Sequence, residues 1–330
     1  MENNSDSEKY SDLEKIQNDV NFLMKQNKKL EKELKEQNEI IDSYYDILNI
    51  IISNKIIKAN GTLRNLQLVT LEMLKFIDNI CRKYNLEYWL TFGTLLGAVR
   101  HEGFVPWDDE VDLAMPRRDY ERFMEVLPDE IDRFEGLKEK LTVRKGSTVF
   151  KNAELSENSL TPVLQFIYKR PHAGLEVYPM DYIFIENNDS KSLNEVRRKV
   201  GQLRKDFKKD YSNNVVSFED GINRGNDTAG ITLEKQDFII CSLDGANVKP
   251  IHVSNVFPLK KTKFEDYEFY IPNNPINYLA TYYSGNVMYI PKKIHRHYFI
   301  EDIEKIGTKD ELELMYKEIL EFWNEINNSF

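Results

Sequence analysis

Four acidic residues lie within positions 108–112 and apolar residues alternate with them from position 110 onward, and this pattern constrains the fold more than any other feature of the chain. Asp108, Glu110 and Asp112 are spaced two residues apart. The apolar residues that alternate with them and follow them are Val111, Leu113 and Met115. A period of two predicts a half-buried β-strand, in which residues i and i+2 share a face and lie about 6.6 Å apart along the chain. The sequence therefore predicts three carboxylates on one face of a strand.

These carboxylates need a neutralising partner, because like charges on one strand face repel each other unless protons or a cation offset them. Hard divalent cations prefer oxygen ligands, so the pattern favours a Mg²⁺ site, with Mn²⁺ as an alternative. A solvated acidic turn is the competing interpretation, and for an isolated acidic run it is the more common one. Here the apolar alternation favours the metal site. So does the upstream Gly93-Thr94 pair, since a Gly-Thr turn at a helix start offers N–H groups to phosphate.

The composition indicates a folded, acidic protein. Among the 330 residues, 41% are hydrophobic and 12% aromatic, which is enough for a substantial core. A formal net charge of −10 makes the chain a poor general binder of nucleic acid. Its two cysteines, Cys81 and Cys241, cannot form a disulfide framework, which favours a reducing compartment. Since no signal-peptide pattern and no long apolar run are present, we expect a cytoplasmic protein without a membrane span, either soluble or peripheral at the inner membrane face.

A seven-residue repeat runs through residues 13–51 without proline or glycine. One seam position holds Leu13, Val20, Asn27, Leu34, Ile41 and Leu48, and the other holds Ile16, Leu23, Leu30, Gln37, Tyr44 and Ile51. Only Asn27 and Gln37 are not apolar, so we predict a coiled coil within residues 1–55. Asparagine at a seam position favours a parallel two-stranded pair, which predicts a homodimer. The alternative is a single long helix that folds back on the rest of the chain.

The segment around the acidic run resembles a known family over a long motif. Residues 93–123, GTLLGAVRHEGFVPWDDEVDLAMPRRDYERF, are closely similar to the signature of the LicD/fukutin phosphotransferases. Shorter similarities follow at residues 175–181 (LEVYPMD), 257–272 and 274–291. The resemblance extends over roughly residues 62–300 and leaves out the heptad repeat.

This resemblance implies an α+β fold over residues 56–330, with a nucleotidyltransferase-like mixed sheet and flanking helices. In the sequence this domain follows the N-terminal coiled-coil helix. Within this domain, residues 187–255 are basic and helix-like at first and then rich in Asn, Asp and Gly, so we interpret them as a family-variable insert.

Two residues depart from the family pattern. Glu110 and Glu176 stand where Asp is usual, and each carboxylate reaches one methylene further, which changes where a cation would sit.

The implied metal ligands, which are also the implied catalytic residues, are Asp108, Glu110, Asp112 and Glu176. Residues 164–169 and 175–185 flank a short turn and predict a β-hairpin or two adjoining strands. Such a strand beside the acidic strand would bring Glu176 into the site. Glu176 or Asp108 is then expected to accept the proton of the attacking hydroxyl. The alternative for Glu176 is an exposed strand residue without a role.

The substrate-binding candidates are Gly93, Thr94, Arg100, His101, Trp107 and Lys169. Gly93 and Thr94 would hold phosphate oxygens, and Arg100 would clamp a phosphate through its bidentate guanidinium. Three of these residues have a structural alternative. Arg100 would otherwise pair with the acidic run, Trp107 would pack beside its proline, and Lys169 would be a solvated strand end.

The resemblance implies an enzyme that transfers a substituted phosphate, most often phosphocholine from CDP-choline, to a sugar hydroxyl. The expected acceptor is a cell-surface glycan, such as lipopolysaccharide or teichoic acid, or its lipid-linked precursor. Two rival enzymatic functions are transfer of the nucleotide half and use of another CDP-alcohol or a phosphonate donor. A non-enzymatic rival is a coiled-coil scaffold with a degenerate transferase domain. Retention of Asp108 and Asp112 argues against that scaffold.

Overall fold

The computed structural model describes residues 3–53, 57–145, 164–168, 173–187, 189–212, 225, 229–241, 249–283, 286–291, 303–305 and 307–330. The chain divides into two compact units. The first comprises Met1–Lys55 and Tyr289–Lys292, and the second comprises Ile56–Met288 and Lys293–Phe330.

The first unit contains one continuous helix, α1 (Asn3–Ser53). Along this helix the apolar seam residues from Ile16 to Ile51 are exposed. Towards the end of the helix, the Tyr45 hydroxyl donates to the carbonyl of Ile290 at 2.5 Å, and the Asn49 side-chain oxygen accepts from the N–H of Ile290 at 2.7 Å. The predicted long helix is confirmed, whereas its pairing into a coiled coil stays a prediction.

In the second unit the helices are α2 (Gly61–Tyr84), α3 (Phe92–His101), α4 (Arg117–Asp132), α5 (Leu137–Lys140), α6 (Ser190–Ser212), α7 (Pro275–Tyr282) and α8 (Lys309–Asn327). The strands are β1 (Trp89–Leu90), β2 (Glu110–Pro116), β3 (Leu141–Lys145), β4 (Leu164–Tyr168), β5 (Gly174–Ile183), β6 (Ile231–Thr232), β7 (Phe238–Ile240), β8 (Ile251–His252), β9 (Lys260–Phe264) and β10 (Tyr267–Ile271). Among the helices that the structure describes, none has both the length and the apolar character that a membrane span requires.

Strands β1 to β8 form one mixed sheet, and β9 and β10 form a separate hairpin. The main strand order is β1-β2-β5-β4-β3, while β6 and β7 pair with the end of β5 and β8 pairs with β7. The β2–β5 pair is parallel and sets Asp112 opposite Glu176. β4 and β5 pair antiparallel across a short connection. The predicted α+β class, the mixed sheet with helices packed against it, and the β4–β5 hairpin are therefore confirmed.

Strand β2 differs from the prediction in its burial. Residues 111–116 are all buried, because β2 lies between β1 and β5 and is packed against α2, α3 and α4. Strands covered on both faces are usually near-continuous apolar runs, and β2 departs from such a run only at Glu110 and Asp112. Asp108 precedes the strand, so only Glu110 and Asp112 lie on it. The expectation of a half-buried strand with all three carboxylates was wrong on both counts.

Residues 187–255, predicted as a variable insert, extend the sheet. Helix α6 packs Val196 and Val200 into a second apolar cluster together with Ile231 and Ile240 of β6 and β7. Because β6 and β7 both pair with β5, the described part of this segment is a structural extension of the strand that carries Glu176.

A buried ion pair joins α4 to the far end of the β2–β5 pair. Arg117 donates from Nε to Oδ1 of Asp181 at 2.8 Å and from Nη2 to Oδ2 at 2.9 Å. Both side chains are almost fully buried, at 2% and 1% exposure. A bidentate guanidinium–carboxylate pair has a defined geometry, so it fixes the start of α4 against β5.

The loop between α3 and β2 is braced by a single carboxylate, Glu265, in the β9–β10 turn. Arg64 of α2 donates to its two oxygens at 2.9 and 2.7 Å, and Lys58 donates at 2.6 Å. The backbone N–H of Phe104 donates to the same side chain at 3.4 Å. A Cβ at Gly103 would lie only 2.4 Å from Glu265 Oε1, so glycine permits this close approach. Burial alone would raise the pKa of Glu265, but the bonds from Arg64 and Lys58 lower it to about 2.

We expect Glu265→Gln to lower the free energy of unfolding at pH 7 by about 1.5 to 3 kcal/mol, the usual contribution of hydrogen bonds to a charged group. A carboxylate with a depressed pKa stabilises the fold above its ordinary pKa of 4.5, and this contribution is lost as the pH falls through about 2. Urea unfolding at pH 7 and pH 3 should show a difference from wild type that shrinks at pH 3. Glu268→Gln, at an exposed position of β10, is the control. An equal loss at both pH values would contradict the prediction.

Candidate active site

Four carboxylates lie at one end of the parallel β2–β5 pair. Asp112 and Glu176 occupy paired positions, and hydrogen-bonded strands are about 4.8 Å apart. Glu110 lies two residues before Asp112, and Asp108 lies in the preceding loop. Burial, followed by the charges of Glu110, Glu176 and Asp108, holds the pKa of Asp112 well above its ordinary value. The four predicted site acids thus lie close enough to repel each other; we call them the acid cluster.

The donor chemistry of the acid cluster fits a hard divalent cation. All its ligating atoms are carboxylate oxygens, and Oδ1 of Asp112 is buried without a hydrogen-bond partner among the described residues. Yet within the described ranges no three Asp, Glu, His or Cys side chains are arranged so that they could hold a metal ion. Glu176 instead accepts a hydrogen bond from the Tyr178 hydroxyl. The ligands that Mg²⁺ or Mn²⁺ requires are therefore present, but in these side-chain positions they do not form a coordination shell.

Gly93 is in direct contact with the acid cluster. A Cβ at this position would lie 2.5 Å from Oδ2 of Asp108, so any side chain would displace that carboxylate. Gly93 also lies in the first turn of α3, where backbone N–H groups have no partner within the helix. The predicted Gly-Thr helix start is confirmed, and the binding of phosphate there stays a prediction.

Thr94 and Gln67 hold the two chain segments that carry the acids. The Thr94 side-chain oxygen accepts from the N–H of Asp112 at 2.8 Å, which ties α3 to β2. Gln67 of α2 donates to the carbonyls of Val105 at 3.3 Å and Asp108 at 2.8 Å. Thr94 is buried, and its hydroxyl positions the backbone of Asp112. The predicted contact of Thr94 with phosphate stays a prediction.

Arg100, His101 and Trp107 form a small group at the end of α3. Arg100 donates from Nε to Nε2 of His101 at 2.9 Å and from Nη1 to the carbonyl of Val287 at 3.2 Å. Its guanidinium lies 5.7 Å from the centre of the Trp107 ring. Burial, and then the charge of Arg100, lowers the pKa of His101 to about 4, so the imidazole is neutral at pH 7. The structure brings these three predicted residues together, with His101 as an acceptor for Arg100.

Sequence reasoning missed two tyrosines that border the acid cluster. Tyr178 lies two residues after Glu176 on β5, so a period of two would have placed it on the same strand face. Tyr283 follows α7; burial and the charges of Asp112, Asp108 and Glu110 raise its pKa. Tyr283 lies in the family-like segment 274–291, but its proximity to the acids arises from tertiary packing and was not visible in that segment. Lys169, predicted to bind substrate, lies outside the described residues.

Comparison with known proteins supports the resemblance seen in the sequence. Residues 85–190, which include the acid cluster, match the family described as LicD/FKTN/FKRP, nucleotidyltransferase domain. Over 65 residues the chain is 49% identical to lipopolysaccharide cholinephosphotransferase LicD of Haemophilus influenzae, a stretch that covers 20% of this chain and 24% of that protein. Over 44 residues it is 39% identical to ribitol 5-phosphate transferase FKRP of Homo sapiens, covering 13% of this chain and 9% of that protein.

Each of these stretches spans less than a quarter of the relative's length. Both relatives are phosphotransferases by name, and they differ in the group that the name specifies. Together with the match over residues 85–190, these similarities show that this segment of the chain is similar to the LicD/FKTN/FKRP nucleotidyltransferase domain.

Proposed function

We propose that this chain is a metal-dependent transferase that moves a substituted phosphate from a CDP-alcohol to a sugar hydroxyl. One observation carries the proposal: the acid cluster lies at the β2–β5 pair, inside the residues that match the family. A buried carboxylate that is repelled by three half-buried ones is costly to the fold, and a site of this kind suggests a role for negative charge.

The proposed metal ligands are Asp108, Glu110, Asp112 and Glu176. When bound, Mg²⁺ or Mn²⁺ would neutralise negative charge on the donor diphosphate and on the departing CMP. The first-turn N–H groups of α3, at Gly93 and Thr94, would hold phosphate oxygens. Glu176 or Asp108 would accept the proton of the attacking hydroxyl. The hydrogen bond from Tyr178 would fix the orientation of Glu176.

The similar proteins favour transfer of the phosphoalcohol over transfer of the nucleotide. The Haemophilus relative is a cholinephosphotransferase and the human relative a ribitol 5-phosphate transferase, so both names specify a substituted phosphate. We propose phosphocholine from CDP-choline as the transferred group, since the cholinephosphotransferase is the more similar of these two. A glycan or a lipid-linked glycan precursor is the proposed acceptor. Ribitol 5-phosphate from the corresponding CDP-alcohol is the second candidate.

We place this reaction in the cytoplasm. Cys81 and Cys241 are both buried thiols outside any disulfide, so the described part of the chain does not use a disulfide for its stability. Free thiols are the usual state of cysteines in a reducing compartment.

We expect CMP to accumulate in step with choline on the glycan when the protein is incubated with Mg²⁺, CDP-choline and a lipopolysaccharide or teichoic acid acceptor. If the phosphoalcohol moves, the broken bond joins the two phosphates and CMP leaves with the bridging oxygen. Separation of the nucleotide products by chromatography, with mass spectrometry of the glycan, gives the readout. Free phosphocholine together with a CMP-bearing glycan would contradict the proposal and indicate nucleotidyl transfer.

We expect Asp112→Asn to lower turnover about 100-fold or more, because it removes charge that the proposed metal site needs in the transition state. The same change removes a buried, repelled carboxylate, so without metal the variant should be at least as stable as wild type at pH 7. Steady-state rates and urea unfolding test both expectations. Asp129→Asn, at an exposed position of α4, is the control. Full activity of the variant, or of wild type in excess chelator, would contradict the metal requirement.

We also propose that α1 pairs in parallel with α1 of a second copy. The exposed seam holds apolar residues at heptad spacing, including Leu23 and Leu30 on either side of Asn27. An apolar stripe of this length is costly in water, and a second identical helix would cover it. Paired asparagines at position 27 would favour two strands in register.

We expect the double variant Leu23→Glu and Leu30→Glu to be monomeric at 39.0 kDa, whereas the wild-type protein has twice that mass. Buried glutamates would repel each other across the seam and could not be solvated there. Light scattering coupled to gel filtration measures the mass. Lys25→Glu, on the side of the helix away from the seam, should stay dimeric. A wild-type monomer would remove the coiled-coil interpretation.

A further inference from the structure

Three aromatic rings from three different elements meet beside the acid cluster. Phe92 begins α3, Tyr178 lies on β5 and Tyr282 ends α7. The Phe92 ring lies 5.0 Å from the ring of Tyr178 and 4.7 Å from that of Tyr282, both in edge-to-face contact. Tyr282 is buried in the main core, whereas Phe92 and Tyr178 pack against that core and are only half-buried. We call these three residues the aromatic group.

The aromatic group borders the acid cluster on two sides. Tyr178 shares a strand face with Glu176, and its hydroxyl donates a hydrogen bond to that carboxylate. Phe92 directly precedes Gly93, whose Cα lies against the carboxylate of Asp108. A ligand group attached to a phosphate at the acid cluster would therefore have aromatic rings within reach.

The backbone at Phe92 supports a role for its ring. Phe92 has φ +43°, in the left-handed region that favours glycine and disfavours bulky side chains. Strained backbone of this kind persists where surrounding contacts hold it, and it is concentrated at functional sites. Here the contacts of the ring with Tyr178 and Tyr282 hold it. A bulky ring at this position needs a reason beyond the formation of the helix start.

We infer that the aromatic group binds the trimethylammonium head of the donor and thereby selects choline over other CDP-alcohols. This inference rests on the proposed function. A quaternary ammonium has no N–H to donate, so its recognition depends on aromatic faces and nearby negative charge. Tyr178 and Glu176 offer that combination on one strand face. The ammonium of ethanolamine has three donors and ribitol has several hydroxyls, so both lose more hydrogen bonds to water than Glu176 and the aromatic faces can replace.

The test compares CDP-choline with CDP-ethanolamine as donors for the wild-type chain and for Phe92→Leu. Leucine also has a Cβ and an apolar side chain, so the positive φ at residue 92 costs about as much free energy as it does for phenylalanine. Only the ring is lost. We expect the ratio of kcat/KM for CDP-choline over CDP-ethanolamine to fall about tenfold, through a higher KM for CDP-choline. Phe92→Tyr should restore the wild-type ratio. Phe134→Leu removes a half-buried ring that packs against Phe76 instead, and it should leave the ratio unchanged.

The possible outcomes separate this inference from the proposed function. If wild type transfers phosphocholine and Phe92→Leu keeps the wild-type ratio, the inference is overturned and the transferase function stands. If wild type prefers CDP-ethanolamine or a CDP-ribitol donor, choline selection is overturned and only the identity of the donor changes. If Phe92→Leu unfolds, the comparison of kcat/KM is replaced by a binding measurement. The affinities of the Phe92→Tyr and Phe92→Trp variants for CDP-choline and for CDP are then compared directly. Tighter binding of CDP-choline than of CDP by both ring-bearing variants would support the inference, and equal binding would overturn it.

Discussion

Electrostatic repulsion within the acid cluster is the constraint on which the rest of the site depends. Asp112 is buried opposite Glu176 on a parallel strand pair, with Glu110 on the same strand and Asp108 close by. Burial and then these charges raise the pKa of Asp112, which means that the fold holds the carboxylates in place against a free-energy cost. A cation or a proton would relieve this cost. The surrounding structure must therefore supply the rigidity that the acids themselves oppose.

That rigidity comes from polar contacts that fix the backbone on both sides of β2. Thr94 accepts from the N–H of Asp112, while Gln67 and Glu265 hold the loop in front of the strand. Beyond the strand, the bidentate pair of Arg117 and Asp181 locks α4 against β5. Each of these contacts is buried or half-buried, where charge-assisted bonds are stronger than in water. Positions of the acids are thus determined by side chains from α2, α3, β5 and the β9–β10 turn.

Local pattern was sufficient for several elements and misleading for one. The heptad repeat predicted the long helix α1, and the spacing of two strand segments predicted the β4–β5 hairpin. The position of Glu176 beside the acidic strand was implied by the family resemblance. The alternation at β2 was misread as half-burial, because local sequence does not report how many neighbours a strand acquires. Arg100 and His101 were predicted to line the site, but their mutual hydrogen bond and the neutral state of His101 follow only from burial.

The sequence by itself determined the chemistry of the candidate site: the acids, the Gly-Thr helix start and the family motif are all local, and residue type and spacing are visible without a fold. Only the tertiary structure decided which groups act on one another. Parallel pairing of β2 with β5 brings Glu176 opposite Asp112 across 64 positions of chain, and the end of α7 adds Tyr282 and Tyr283 from still further away. Contacts over such separations depend on loop closure and packing, which no local period encodes.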